Sequence, residues 1–129
     1  MKKMLIFIFV LIIGSTVKAQ QRDIHDLVGK WDAVDASHAK GTLQIVDSTH
    51  IYLTFNGQKK PIIHYTADFT KKPIWFDFVV PEGDSTIHLK SILRIISNNK
   101  LQWQIFTGGN RPEYFTKDRG DMVYLVKKK

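Results

Sequence analysis

The side chains able to do chemistry are sparse in this chain. Five histidines stand at 25, 38, 50, 64 and 88, none at a ligand spacing such as H-E-x-x-H, and cysteine is absent, so no zinc site assembles from local spacing. His50 and His64 lie about equally far from Asn56-Gly57, and a hairpin there would set them on adjacent strands. That is the one route to a metal pair, and exposed or hydrogen-bonded strand histidines are the expected outcome. Nucleophilic catalysis asks for a serine or cysteine on a sharp glycine-flanked turn with a base and an orienting acid, and Gly-x-Ser-x-Gly is missing. Asp77 with Glu82 or Asp84 is the nearest thing to a carboxylate pair. The last two sit in a Pro/Gly turn, where solvation is expected. Asp77 alternates with Phe76 and Phe78, so it faces outward, toward an expected ion pair with a lysine on a neighbouring strand. Thr107-Gly108-Gly109-Asn110 lacks the lysine and helix that give a phosphate loop its grip. No catalytic residue, metal or cofactor is expected, and binding is favoured over catalysis.

The first residues concern destination. Lys2 and Lys3 precede the apolar run Met4 to Ile13, and Val17-Lys18-Ala19 is a small-residue exit, the form of a cleavable secretory signal over residues 1–19. The run is about half the ~20 residues that a bilayer-crossing helix needs, so no membrane span is expected after cleavage following Ala19. With no cysteine for an acyl anchor, the mature chain is expected secreted or periplasmic rather than a lipoprotein. It must also hold together by packing, without the disulfides common in small exported domains. Residues 20–129 are one domain by size. The formal charge of +7 falls to +4 once Lys2, Lys3 and Lys18 leave, and three further lysines, Lys127 to Lys129, form the tail. Lys59-Lys60 and Lys71-Lys72 sit beside turns, where they keep strand edges soluble. No basic stripe with interleaved aromatics tracks a phosphate backbone, so nucleic acid is not an expected partner.

The elements that would position any site are strands. A short helical turn over Asp23 to Leu27 precedes segments of period-two alternation at Lys30–Val34, Gly41–Val46, His50–Phe55, Ile62–Ala67, Ile74–Val80, Thr86–Ile96, Lys100–Phe106 and Met122–Lys127. Asn56-Gly57 is a tight-turn signal, expected to fold the chain back into Ile62–Ala67. Out-of-phase Ile92 and Ile96 suggest a bulge near Ser91. Eight sequential strands must close or leave a wet apolar edge, so the expected fold is an all-β, eight-stranded antiparallel up-and-down barrel. An interior of that size is filled by side chains or holds one small ligand.

Leu27, Gly29 and Trp31 resemble the L-x-G-x-W opening of lipocalin-like (calycin-type) proteins. The further series Lys71-Lys72-Pro73 with Asp77, then Arg111-Pro112 with Phe115, then a closing apolar strand ending in lysines, is similar to a family of small exported bacterial domains first catalogued in planctomycetes. The resemblance spans nearly all of the mature chain and implies a barrel, with Trp31 as base plug and Arg111 as a cationic lid over its indole; Arg94 is the rival lid. The chain is shorter than ordinary lipocalins and shows no C-terminal helix.

Strand phase sends Trp31, Ala33, Leu43, Ile45, Ile51, Leu53, Phe55, Phe76, Phe78, Leu101, Trp103 and Ile105 inward. If the interior holds a small hydrophobic or amphipathic ligand, Trp31, Leu43, Phe55, Phe76, Phe78 and Trp103 line it, with Arg111 approaching from a loop. Large side chains on strands of five to seven residues favour a mostly filled interior with a shallow mouth. The alternative is a filled barrel acting through its surface, as inhibitor or adaptor of another exported protein. The loop 107–121 would be its contact element, because Arg111, Tyr114, Phe115 and Arg119 are residue types that carry interface energy.

Overall fold

A computed structural model describes residues 22–34, 41–108, 110–116 and 120–129. Residues 1–19, where a secretory signal is expected, lie outside them, as do His38, Gly109 and Arg119. A single 3₁₀ turn, Ile24–Leu27, opens the described chain, capped where the Asp23 carboxylate accepts from the His25 amide while Asp26 reaches back to the Asp23 amide. Nine strands follow: β1 Gly29–Val34, β2 Gly41–Ile45, β3 Ile51–Phe55, β4 Gln58–Pro61, β5 His64–Asp68, β6 Ile74–Glu82, β7 Ser85–Ser97, β8 Lys100–Phe106 and β9 Asp121–Lys127. They form one antiparallel sheet in the order β4-β3-β2-β1-β9-β8-β7-β6-β5, curled into a half-barrel.

The first and last strands do meet. β1 pairs with β9 from Trp31 opposite Lys127 to Val34 opposite Tyr124, which puts both ends of the described chain near the middle of the sheet. The edges are instead β4 and β5, neighbours in sequence. Asn56 (φ 51) and Gly57 (φ 81) take the positive φ values of the expected turn, but the strand they launch is β4, in register with β3 from Phe55 opposite Gln58 to Tyr52 opposite Pro61. Pro61 turns the position of its missing amide hydrogen away from β3, toward the open edge, so the ladder is not interrupted there. The Ile62 amide still donates to Ile51 O (2.8 Å), whereas the Ile63 amide donates to Val79 O (2.9 Å), so at these two residues the chain crosses from one lip of the sheet to the other. The segment expected to pair with His50–Phe55 therefore lies on β6, His64 opposite Val79, and the nine strands replace the expected eight. Two side-chain ties span the lips: Tyr65 Oη donates to Ser48 O (2.7 Å) and Lys60 Nζ pairs with Glu82 Oε1 (3.2 Å).

The concave face is a packed core. Trp31 (1% exposed) donates its indole N–H to Leu27 O at 2.9 Å, closing one end against the 3₁₀ turn. Leu43, Ile45, Ile51, Ile74, Leu93, Leu101 and Leu125 are buried around it. Phe76, Phe78 and Trp103 (2% exposed) meet with ring centroids 5.4–6.1 Å apart. The indole N–H of Trp103 donates to Ser91 Oγ (2.8 Å), and the Ser91 hydroxyl donates to Phe76 O. Ser91 is therefore an inward core residue in unbroken register opposite Ile105, not the centre of a bulge; the register shift falls between Ile95 and Ser97. Gly29 explains the G-x-W spacing: its φ is +145°, and a Cβ there would stand 2.6 Å from Lys127 Cε.

Candidate ligand-binding cleft

The residues expected to line an internal cup are core instead. Trp31, Leu43, Phe76, Phe78 and Trp103 are buried, and two cavities on the concave face measure about 10 Å³, beneath Ile24, Leu43 and Leu93, and about 70 Å³, between Leu53, Trp103 and Val123. Neither accommodates a drug-sized molecule, for which roughly 300–1,000 Å³ is usual. Phe55, expected inside, is 51% exposed beside the Asn56-Gly57 turn.

Arg111 does not reach Trp31. It lies on the convex side, where Nη2 donates to Asp77 Oδ2 at 2.7 Å and the guanidinium carbon stands 4.1 Å from the Trp75 ring centroid. Alternation explains the placement: Ile74, Phe76 and Phe78 fill the core, so Trp75 and Asp77 face the opposite way, toward the β8–β9 loop. Asp77 thus takes an arginine from that loop rather than a lysine from an adjacent strand. Trp31 has a different cation, Lys127, whose Nζ is 5.6 Å from its ring. The rival lid Arg94 lies over Phe115, at 5.9 Å.

The same loop covers the convex face more widely. Gln104 is fully buried although it points away from the core, because its side-chain oxygen accepts from the Thr116 amide (2.9 Å) and its NH₂ donates to Thr116 O. Ile92 and Phe106 are buried on that face too. The loop side chains named as a partner surface separate into two groups: Arg111 is consumed by Asp77 and Trp75, whereas Tyr114 is 72% exposed and Phe115 half-buried beside it.

Tyr114 and Phe115 form one wall of a cleft of about 720 Å³. The β5–β6 turn supplies Phe69, Thr70, Lys71, Lys72 and Pro73; β6 and β7 supply Ile74, Leu93, Arg94 and Ile95; Arg22 enters ahead of the 3₁₀ turn. The turn is shaped by Asp68, whose Oδ1 accepts from the Thr70 amide (3.0 Å) and hydroxyl (2.5 Å), while the Lys71 amide donates to Asp68 O (3.4 Å). The hydroxyl and amide of Thr70 lower the Asp68 carboxyl below its ordinary value. Lys71 then lies with Nζ 4.7 Å from the Trp75 ring, so this indole serves two cations, Lys71 and Arg111. Lys71, Pro73, Asp77, Arg111 and Phe115, scattered over 45 positions of sequence, converge at this corner.

The lining is chemically one-sided. Arg22, Lys71, Lys72 and Arg94 are exposed, the described lining holds no carboxylate, and none of the four forms an ion pair among the described residues. Phe69, Pro73, Leu93, Tyr114 and Phe115 add apolar surface. Sequence reasoning missed Arg22, Phe69 and Arg94 as a group, because they come from three separate elements. The one local signal was Asp68-x-Thr70 preceding Lys71-Lys72-Pro73, a turn that presents cations.

The one route to a histidine pair, His50 beside His64 across a hairpin, is not taken. The partner of β3 is β4, so His64 is not brought to His50, whose Nδ1 is 2.9 Å from Asp47 Oδ1. His64 and His88 instead flank Val79 from opposite sides. Among the described residues no three His, Asp or Glu side chains are grouped to hold a metal, and no helix is long and apolar enough to cross a membrane. Compared with protein-family models, curated proteins and solved structures, the chain matches none of them.

Proposed function

We propose that this is an exported, non-catalytic binding protein that takes a small amphipathic molecule in the cleft at the rim of a lipocalin-like β-barrel, not in the barrel interior. The contrast in volume carries the reading: about 720 Å³ at the rim against about 10 and 70 Å³ on the concave face. Trp31 closing the core against Leu27 supports the base-plug role expected of a lipocalin-like chain, with Lys127 above the ring. Export rests on the form of residues 1–19.

Native mass spectrometry of the protein purified from its own host tests this reading. A bound small molecule is expected, lost when Thr70→Trp fills the cleft and retained when Leu53→Phe fills the 70 Å³ cavity. The reverse pattern, or no adduct and no binding of any amphipath offered, overturns it.

A second reading is favoured by Tyr114, 72% exposed on a loop pinned by Arg111 to Asp77 and by Gln104 to Thr116. A rigidly presented aromatic suits capture of another exported protein. Recovery of one stoichiometric partner that is lost on Tyr114→Ser, and not displaced by amphipaths, distinguishes it.

A further inference from the structure

We infer that the cleft selects an anion: a free, single-chain or aryl amphipath with a carboxylate, sulfate or phosphate head. This rests on the cleft being the binding site and adds which ligands it accepts. Four cationic side chains line the described cleft without a carboxylate among them, and none is neutralised by an ion pair among the described residues. Two of them are steered by aromatic faces, Lys71 by Trp75 at 4.7 Å and Arg94 by Phe115 at 5.9 Å. A ring face attracts a cation without cancelling its charge, so both remain available to an anion. Of the two acids beside this corner, Asp77 is held by Arg111 at 2.7 Å, and Asp68 is turned onto the Thr70 amide and hydroxyl, acting on Lys71 through space without a direct ion pair. An oppositely charged head entering here meets like-signed side chains on every polar wall, which focus attraction inside a concavity. The apolar remainder of such a ligand has Phe69, Pro73, Leu93 and Phe115 to cover it.

Concavity decides between two sources of the same chemistry. The cations come from the segment before the 3₁₀ turn, from the β5–β6 turn and from β7, around a common hollow, whereas adsorption to a membrane would want them together on one convex patch. A free amphipath is therefore the occupant, not the head groups of a lipid bilayer.

The test is a calorimetric titration of the full mature chain with three probes below their micelle concentrations: dodecanoate, dodecyltrimethylammonium and an uncharged dodecyl maltoside. Dodecanoate should bind at one site at least tenfold more tightly than either of the others. Its affinity should fall about fivefold or more on Arg94→Gln or Lys71→Gln with the melting temperature unchanged, and fall again as salt is raised from 0.02 to 0.3 M. Binding by all three probes alike, abolished by Thr70→Trp but insensitive to the glutamine variants, overturns the charge selection and leaves the cleft standing as the binding site. Binding that ignores Thr70→Trp, or no binding of any probe, overturns the cleft reading itself. Flotation with vesicles of anionic phospholipid in the absence of dodecanoate binding overturns the choice of a free ligand.

Discussion

Arg111 donates to Asp77 across the convex face of the sheet at 2.7 Å, joining a loop to a strand 34 residues earlier. The arginine side chain is only 10% exposed, and its Nε and Nη1, like Asp77 Oδ1, are buried with no hydrogen-bond partner among the described residues. The pair is therefore mutually dependent: removing one member leaves the other as an unpaired, largely desolvated charge.

Arg111→Met or Asp77→Leu alone should each cost about 2–4 kcal/mol, at the lower end for Arg111→Met because Asp77 keeps a third of its side chain in water. The double substitution should cost less than the sum of the two. Chemical denaturation of the four proteins gives the coupling, and strict additivity would show that the contact contributes nothing.

Ser91→Ala should destabilise the protein by about 1–3 kcal/mol, since it strands the buried Trp103 indole N–H and Phe76 carbonyl together. Ser91→Gly would add a backbone penalty, so alanine is the cleaner probe. A midpoint unchanged from the parent chain would mean that the hydroxyl relay has no role in the core.

Trp31→Ala should cost about 3–5 kcal/mol through lost burial and the cavity left behind. Lys127→Ala, by contrast, should cost at most about 1 kcal/mol, because one partly exposed cation over an indole is weak. Equal losses in thermal denaturation would show that the lysine, not the packing, secures this end.

These contacts also show what was legible in the residues alone. Alternation is a local property, so the core phases of Trp31, Leu43, Phe76, Phe78 and Trp103 could be read directly, and the Asn56-Gly57 turn was visible because only certain residues tolerate positive φ. The length of the returning strand was not: it depends on Ile62 making the last bond to β3 and on Val79 capturing Ile63 from the far lip. Ser91 looked like a break in pattern because its reason, an indole twelve residues away, lies on another strand. Arg111 had three tryptophans to choose from, and alternation along β6 selects Trp75, since the ring must face the loop. The cleft was the least legible feature, assembled from a turn, a strand, a loop and the segment ahead of the 3₁₀ turn.

Asp47 gives a pH-dependent feature at the β2–β3 turn. Its Oδ1 accepts from the Thr49 and His50 amides and the Thr49 hydroxyl and contacts the His50 ring. The Thr49 amide and the His50 side chain lead the causes that lower its carboxyl to about 2. A depressed carboxyl stabilises the fold above its unfolded value, roughly 3.9, and that contribution is lost as pH falls through the folded value. The turn should therefore stay ordered at pH 4 and loosen toward pH 2. Carbon-detected NMR titration should give Asp47 a midpoint near 2, and a midpoint near 4 would show that these bonds do not form in solution.

The chain has three tryptophans, and they report on different places: Trp31 and Trp103 inside the core, Trp75 (40% exposed) on the convex side beneath Lys71 and Arg111. Their three indole N–H signals, followed in a ¹H–¹⁵N spectrum while dodecanoate is added, therefore separate binding at the rim from binding within. The Trp75 signal should move with the Thr70, Lys71 and Phe115 amides while Trp31 and Trp103 stay in place. Displacement of the Trp103 signal with Trp75 silent would mean that the ligand enters the barrel after all.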